Sequence, residues 1–90
     1  MREVRYSSKA KKDLKKYHNN AEKMRKLYAV LNFLARDLQL PAIYKAHKLI
    51  GDYGGCLECH IESDFLLVWI DEDKNIIEIV RLGSHSELFG

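Results

Sequence analysis

The feature that most constrains the fold is an unbroken apolar run, Phe65-Leu66-Leu67-Val68-Trp69-Ile70. At six residues it is far short of the ~20 needed to span a bilayer as a helix. As a strand it offers water no polar side, so both of its faces must be covered. A polar stretch, Asp71 to Asn75, comes next, and then a second strand-like run from Ile76 to Leu82. Residues 65–82 therefore read as a β-hairpin. Upstream, Leu57, Cys59 and Ile61 alternate with Glu58, His60 and Glu62, the period of a half-buried strand whose polar side carries all three of those charged or polar groups. Glycines at 51, 54 and 55 mark a loop before it.

The first half of the chain supplies the cover. Val4 to Tyr6 is a short β-branched and aromatic opening, and Ser7 or Ser8 is placed to cap the next segment. Ala10, Leu14 and Tyr17 then form an apolar stripe on a lysine-rich helix. His18-Asn19-Asn20 interrupts it, and either asparagine can cap a second helix. There the stripe is Met24, Leu27, Tyr28, Leu31, Leu34, Ala35 and Leu38, with Pro41 expected to end the helical region. Ninety residues with 47% apolar content support one core and one domain, 1–90. The expected class is α+β: an N-terminal strand and a two-helix hairpin packed on one face of a mainly antiparallel sheet of four to five strands.

Charge is divided unevenly. Residues 1–45 hold 12 Lys or Arg against 4 Asp or Glu, whereas residues 46–90 hold 3 against 9. The basic half reads either as a footprint for nucleic acid or as solvated helix faces, and charge alone favours neither. The opening sixteen residues hold no apolar signal region and no membrane-length run occurs, so the expected compartment is the cytoplasm, with Cys56 and Cys59 reduced.

Three of the four histidines, His47, His60 and His85, lie in the sheet-forming half with Asp64 and Arg81. If the strands are neighbours, His60, Asp64 and His85 meet at one edge. Such a set suits RNA cleavage by transesterification without a metal or other cofactor. The 2′-hydroxyl must lose a proton, the departing 5′-oxygen must gain one, and the phosphorane needs positive charge nearby. Imidazole serves in either proton transfer near neutrality, and an arginine supplies donors to phosphate oxygens. His18, near a helix end, reads as a surface residue. Trp69 reads as core, and Phe89 as a base-stacking group or a terminal anchor.

Cys56-Leu57-Glu58-Cys59-His60 also fits the C-x-x-C-H pattern of c-type haem attachment. The strand alternation through the motif argues against haem. Zinc is disfavoured because Cys59 and His60, adjacent on a strand, point to opposite faces.

Three blocks carry a family likeness: Tyr44-Lys45-Ala46-His47-Lys48-Leu49-Ile50-Gly51, then Glu58-Cys59-His60-Ile61-Glu62-Ser63-Asp64-Phe65-Leu66-Leu67-Val68, then Arg81-Leu82-Gly83-Ser84-His85-Ser86-Glu87-Leu88-Phe89. In order and spacing they resemble the YafQ branch of the RelE/ParE toxin superfamily; the N-terminal half is similar in architecture only. The resemblance implies a RelE-like fold and the toxin of a type II toxin–antitoxin system, a ribosome-dependent endoribonuclease that cuts mRNA in the A site. Implied partners are a cognate antitoxin, 16S rRNA and mRNA, with operator DNA reached only through the antitoxin complex and no membrane. By position it implies His47, His60, Asp64 and His85 as the catalytic set, with Asp64 or His60 as base and His85 as acid. Arg81, Phe89 and Lys48 are the implied substrate contacts. Lys9, Lys11, Lys12, Lys15 and Lys16 would grip rRNA or face the antitoxin. Cys56 and Leu57 depart from the aromatic–arginine pair common in relatives, and Asp52 lies in a loop that often carries lysine. The alternative reading is a non-enzymatic binder on this scaffold, either a ParE-like gyrase poison or a catalytically weak, antitoxin-bound co-repressor.

Overall fold

The computed structural model describes residues 1–90. Its elements are β1 (Glu3–Tyr6), α1 (Ser8–Tyr17), α2 (Ala21–Ala35), β2 (His47–Lys48), β3 (Leu57–Glu62), β4 (Phe65–Ile70), β5 (Ile76–Gly83) and α3 (His85–Phe89). One five-stranded sheet runs in the order β1-β5-β4-β3-β2, antiparallel except for the β1–β5 pair. The apolar run is the central strand β4, and its first five residues are buried. No helix is long and apolar enough to cross a membrane.

Local chemistry sets the helix starts. Ser7 caps α1 by accepting the Ala10 N–H at 3.0 Å, and Asn20 caps α2 by accepting that of Lys23 at 3.1 Å. The end of α2 differs from expectation. The helix stops at Ala35, because Asp37 turns left-handed (φ 56°) and the Asp37 and Leu38 amides close back on Leu34 and Phe33. Leu38, expected in the stripe, lies beyond the helix and is exposed, as is Tyr28. Pro41 comes after a helix that has already ended.

The two faces of the sheet bury different sets. Ala10 of α1 and Leu27, Val30, Leu31 and Leu34 of α2 pack on Cys59, Ile61, Phe65, Leu67, Trp69, Ile77, Ile79 and Leu82. The opposite face buries Leu66 and Val68 under Leu88 of α3 and Cys56. Helix α3 lies outside the elements expected from periodicity; a capping box between Ser84 and Glu87 starts it.

Two irregularities aim side chains. Pairing of β3 with β4 shifts register between His60 and Glu62. Glu62 was expected on the same side as His60, but its carboxylate instead bonds Lys23 and Lys26 of α2. A second shift, between Val68 and Trp69, lies opposite the stretch of β5 that carries Val80 and Arg81. Strand β1 ends at Tyr6, so the last residues of β5 have no strand partner on that side. Helix α1 fills the gap: the Ser7 hydroxyl donates to Val80 O at 2.7 Å, and the buried Asp13 carboxylate accepts the Leu82 N–H at 3.0 Å.

Candidate active site

Strand register places the site on the face opposite α1 and α2. One row of paired residues crosses the sheet as His47, Glu58, Val68 and Arg81, and the next as His60, Leu66 and Gly83. Paired residues share a face, which Leu66 and Val68 identify as the side under α3.

At the β2–β3 end two imidazoles converge on a carboxylate. Glu58 Oε1 lies 3.2 Å from His47 Nε2 and 3.9 Å from His60 Nε2, and the two rings are 6.4 Å apart. His47 Nδ1 sits 2.8 Å from the Lys45 carbonyl, which can only accept, so Nδ1 carries a hydrogen. The Glu58 side chain is 7% exposed, and its second oxygen has no partner. A buried carboxylate with a free oxygen beside two imidazoles can hold or relay a proton.

At the β5–α3 end, His85 N–H donates to Asp64 Oδ1 at 2.8 Å, so Asp64 ties the turn after β3 to the first turn of α3. The His85 ring lies 5.0 Å from that of Phe89. His60, Asp64 and His85 do not meet in one group as expected; they are divided between two clusters, His47–Glu58–His60 and Asp64–His85–Phe89. Asp64 reaches His85 through the backbone and contacts neither imidazole. Its neighbour's carbonyl, Ser63 O, lies 3.4 Å from His60 Nδ1 and links the clusters.

Arg81 is held from both sides. Asp13 accepts from its Nε at 2.8 Å and Nη2 at 3.2 Å, while Nη1 lies 3.3 Å from the Tyr53 hydroxyl. The Asp13 bonds keep the guanidinium pKa above the ordinary arginine range, so its charge is permanent. Tyr53 also meets Phe89 edge-on at 5.5 Å.

Helix α3 is latched to α1. Tyr17 donates to Glu87, and Lys16 Nζ lies 3.4 Å from it. The Ser84 N–H, then the Tyr17 hydroxyl, hold the Glu87 carboxyl down to about 2, while burial and then the Glu87 contact push Tyr17 up to about 12. Gly83 permits the junction. Its φ is +152°, and a Cβ there would stand 2.7 Å from Glu87 Oε1 and 3.1 Å from Leu88 Cδ1.

Lys48 is not brought to the site: it neighbours His47 on β2 and pairs with Leu57, whose side faces the helices. Lys9, Lys11, Lys12, Lys15 and Lys16 are exposed on α1. Phe89 joins the site. His18 is exposed, with Nδ1 at the Lys15 carbonyl, and Trp69 is core. Four residues carry the geometry without having been singled out in the sequence: Asp13, Tyr53, Glu58 and Glu87. Two of them had a local signal, Glu58 in the strand alternation that sets it beside His60 and Glu87 in the S-x-x-E of a capping box; Asp13 and Tyr53 had none.

The cysteines are buried in opposite layers, Cys59 in the helix-side core and Cys56 in the other cluster. Burial pushes the Cys59 thiol up to about 12 and raises that of Cys56. They cannot act as one ligand pair, and no group of three His, Cys, Asp or Glu side chains is spaced to hold an ion.

Residues 2–90 match the family described as bacterial toxin of type II toxin–antitoxin system, YafQ. The chain is 36% identical over 90 residues to an mRNA interferase toxin YafQ of Escherichia coli K12, covering 99% of this chain and 97% of that one. In structure it is similar to the toxin in the E. coli DinJ–YafQ toxin–antitoxin complex, at 33% identity and TM-score 0.86, covering 99% and 98%. It is also similar to a metal-bound toxin from Helicobacter pylori, at 41% identity and TM-score 0.87, covering 99% and 100%. The match over residues 2–90 and the identity across nearly the whole length of both chains place this chain in the YafQ family of bacterial type II toxins.

Proposed function

We propose that this chain is a ribosome-dependent endoribonuclease that cuts mRNA in the A site by acid–base transesterification without a metal, and that a cognate antitoxin neutralises it. The observation that carries this reading is the convergence of His47 and His60 on Glu58, in strand rows that end at Arg81 and Gly83. A message strand crossing this face meets His47, Glu58 and His60 at the β2–β3 end and the fixed Arg81 cation and His85 at the β5–α3 end. We assign proton removal from the 2′-hydroxyl to His60, or to Asp64, and protonation of the 5′-oxygen to His85. His47 and Glu58 supply the proton store beside the base. Arg81 faces the phosphorane, and Phe89 offers a ring to a base. The exposed lysines of α1 contact 16S rRNA or an acidic antitoxin, and operator DNA is reached only through the antitoxin complex. The compartment is the cytoplasm, where messages and ribosomes are. Each proton transfer is worth about 10²–10⁴ in rate.

A second reading, a catalytically weak member acting chiefly as an antitoxin-bound co-repressor, is favoured by one observation: Asp13 engages two of the three Arg81 nitrogens. Purified protein, programmed ribosomes and primer extension separate the two. The nuclease reading expects A-site cuts by the wild type, unchanged by EDTA, and a loss of at least a hundredfold in His85→Ala. Intact message with wild-type protein, or cleavage abolished by the chelator, would defeat it.

A further inference from the structure

A cavity of about 460 Å³ opens beside the site, lined by Lys9, Ile50, Asp52, Tyr53, Leu88 and Phe89. It abuts the catalytic face on two sides. The Tyr53 hydroxyl touches Arg81, and the Phe89 ring touches His85. Ile50 is 92% exposed and Phe89 38% exposed, so two large apolar side chains stand open to solvent around one hollow. Lys9 and Asp52, on opposite chain segments, pair with no other charge in the molecule. An aromatic wall, an aliphatic flank, one cation and one free carboxylate make up the inventory of a nucleotide site: stacking surface, phosphate contact and base-edge reader.

The carboxylate sets the base. An ionised carboxylate only accepts, and it does so best from two parallel N–H groups. Guanine alone presents two adjacent donors on its Watson–Crick edge, N1–H and N2–H. Adenine and cytosine each set an acceptor beside their amino group, and uracil flanks its N3–H with two carbonyls. Each of the other three therefore turns a lone pair toward Asp52.

We propose that this cavity is a guanine-reading subsite for a message nucleotide next to the scissile phosphate, with Asp52 accepting from the guanine edge, Phe89 and Ile50 packing on the base, and Lys9 holding its phosphate. This rests on the nuclease reading for its place in the reaction, but the binding itself does not. Asp52, the wrong sign for an RNA surface when counted by charge alone, becomes the selectivity element of this chain.

The test is amide chemical-shift titration of the folded chain with GMP, AMP, CMP and UMP. GMP is expected to move the amides of residues 50–53 and 89 and to bind about tenfold or more tightly than the others. Asp52→Asn should abolish that preference, and Lys9→Gln should weaken all four nucleotides alike. Equal binding of the four, no binding of any, or a guanine preference surviving in Asp52→Asn overturns the proposal. Ribosome cleavage is run in parallel on messages that vary one nucleotide at a time. Cleavage indifferent to guanine at every position also overturns it. Guanine-selective binding by a protein that cuts nothing leaves the subsite standing and defeats only the nuclease reading.

Discussion

Replacing Asp13 with alanine removes the acceptor of three hydrogen bonds at once, from Arg81 Nε, Arg81 Nη2 and the Leu82 amide. The Asp13 side chain is 5% exposed and that of Arg81 15%, so the abandoned cation is poorly hydrated. Breaking a buried pair from one side costs about 3–5 kcal/mol. Arg81 keeps Tyr53 and some solvent, which points to the lower end, about 3 kcal/mol. For a domain of this size that is a fall of roughly 12–24 °C in midpoint. Because stability here is of order 5–13 kcal/mol, the variant should remain folded at low temperature. Thermal and urea unfolding followed by circular dichroism measure the loss. Asp13→Asn combined with Arg81→Met, which removes both charges and leaves an amide oxygen to accept the Leu82 N–H, should recover most of the stability but none of the activity. A loss below about 1 kcal/mol in Asp13→Ala would refute the idea that α1 and β5 are joined through this pair.

The same geometry has other consequences. Glu87 has a folded pKa below its unfolded value, so its contribution is present above about pH 4.5 and lost as pH falls through about 2; Glu87→Gln should cost about 1–2 kcal/mol at pH 7, after discounting for partial exposure, and much less at pH 2, as read by urea unfolding at both values. Tyr17, raised to about 12, contributes below pH 10 and loses its share as pH climbs through 12, a dependence that Tyr17→Phe should lack. Gly83→Ala should displace α3 and cut cleavage by at least tenfold while the sheet still melts cooperatively; wild-type activity would mean that the junction tolerates a Cβ. Both thiols should resist a disulfide reagent in the folded protein and react only in denaturant, and rapid labelling of either at neutral pH would contradict their burial.

The sequence reveals what local periodicity encodes. The apolar run of β4, the alternation of β3 and the stripe of α2 each impose their element within a few residues, and Ser7 and Asn20 cap where cap chemistry puts them. The end of α2 is not legible in the same way, because an aspartate, not a glycine, takes the left-handed position. Glu62 leaves its expected side because a register shift has no local signature. Alternation puts Glu58 correctly on the face of His60, but a polar side is ordinarily a wet one, and here it is buried between two imidazoles. Asp13 meets Arg81 across 68 positions of sequence, a distance at which no pattern along the chain carries information. Family likeness names the catalytic candidates; their division into two clusters, with Asp64 bound to a backbone amide, emerges only from the fold.

In the proposed reaction, side chains on this face, without a metal, move two protons around one phosphodiester, and the chemistry of the cut ends distinguishes that reaction from hydrolysis. Transesterification by these residues leaves a 2′,3′-cyclic phosphate and a 5′-hydroxyl on message cut by chelator-treated protein on the ribosome. A 5′-phosphate with a 3′-hydroxyl would contradict the account, because those ends come from attack by water rather than by the neighbouring 2′-oxygen.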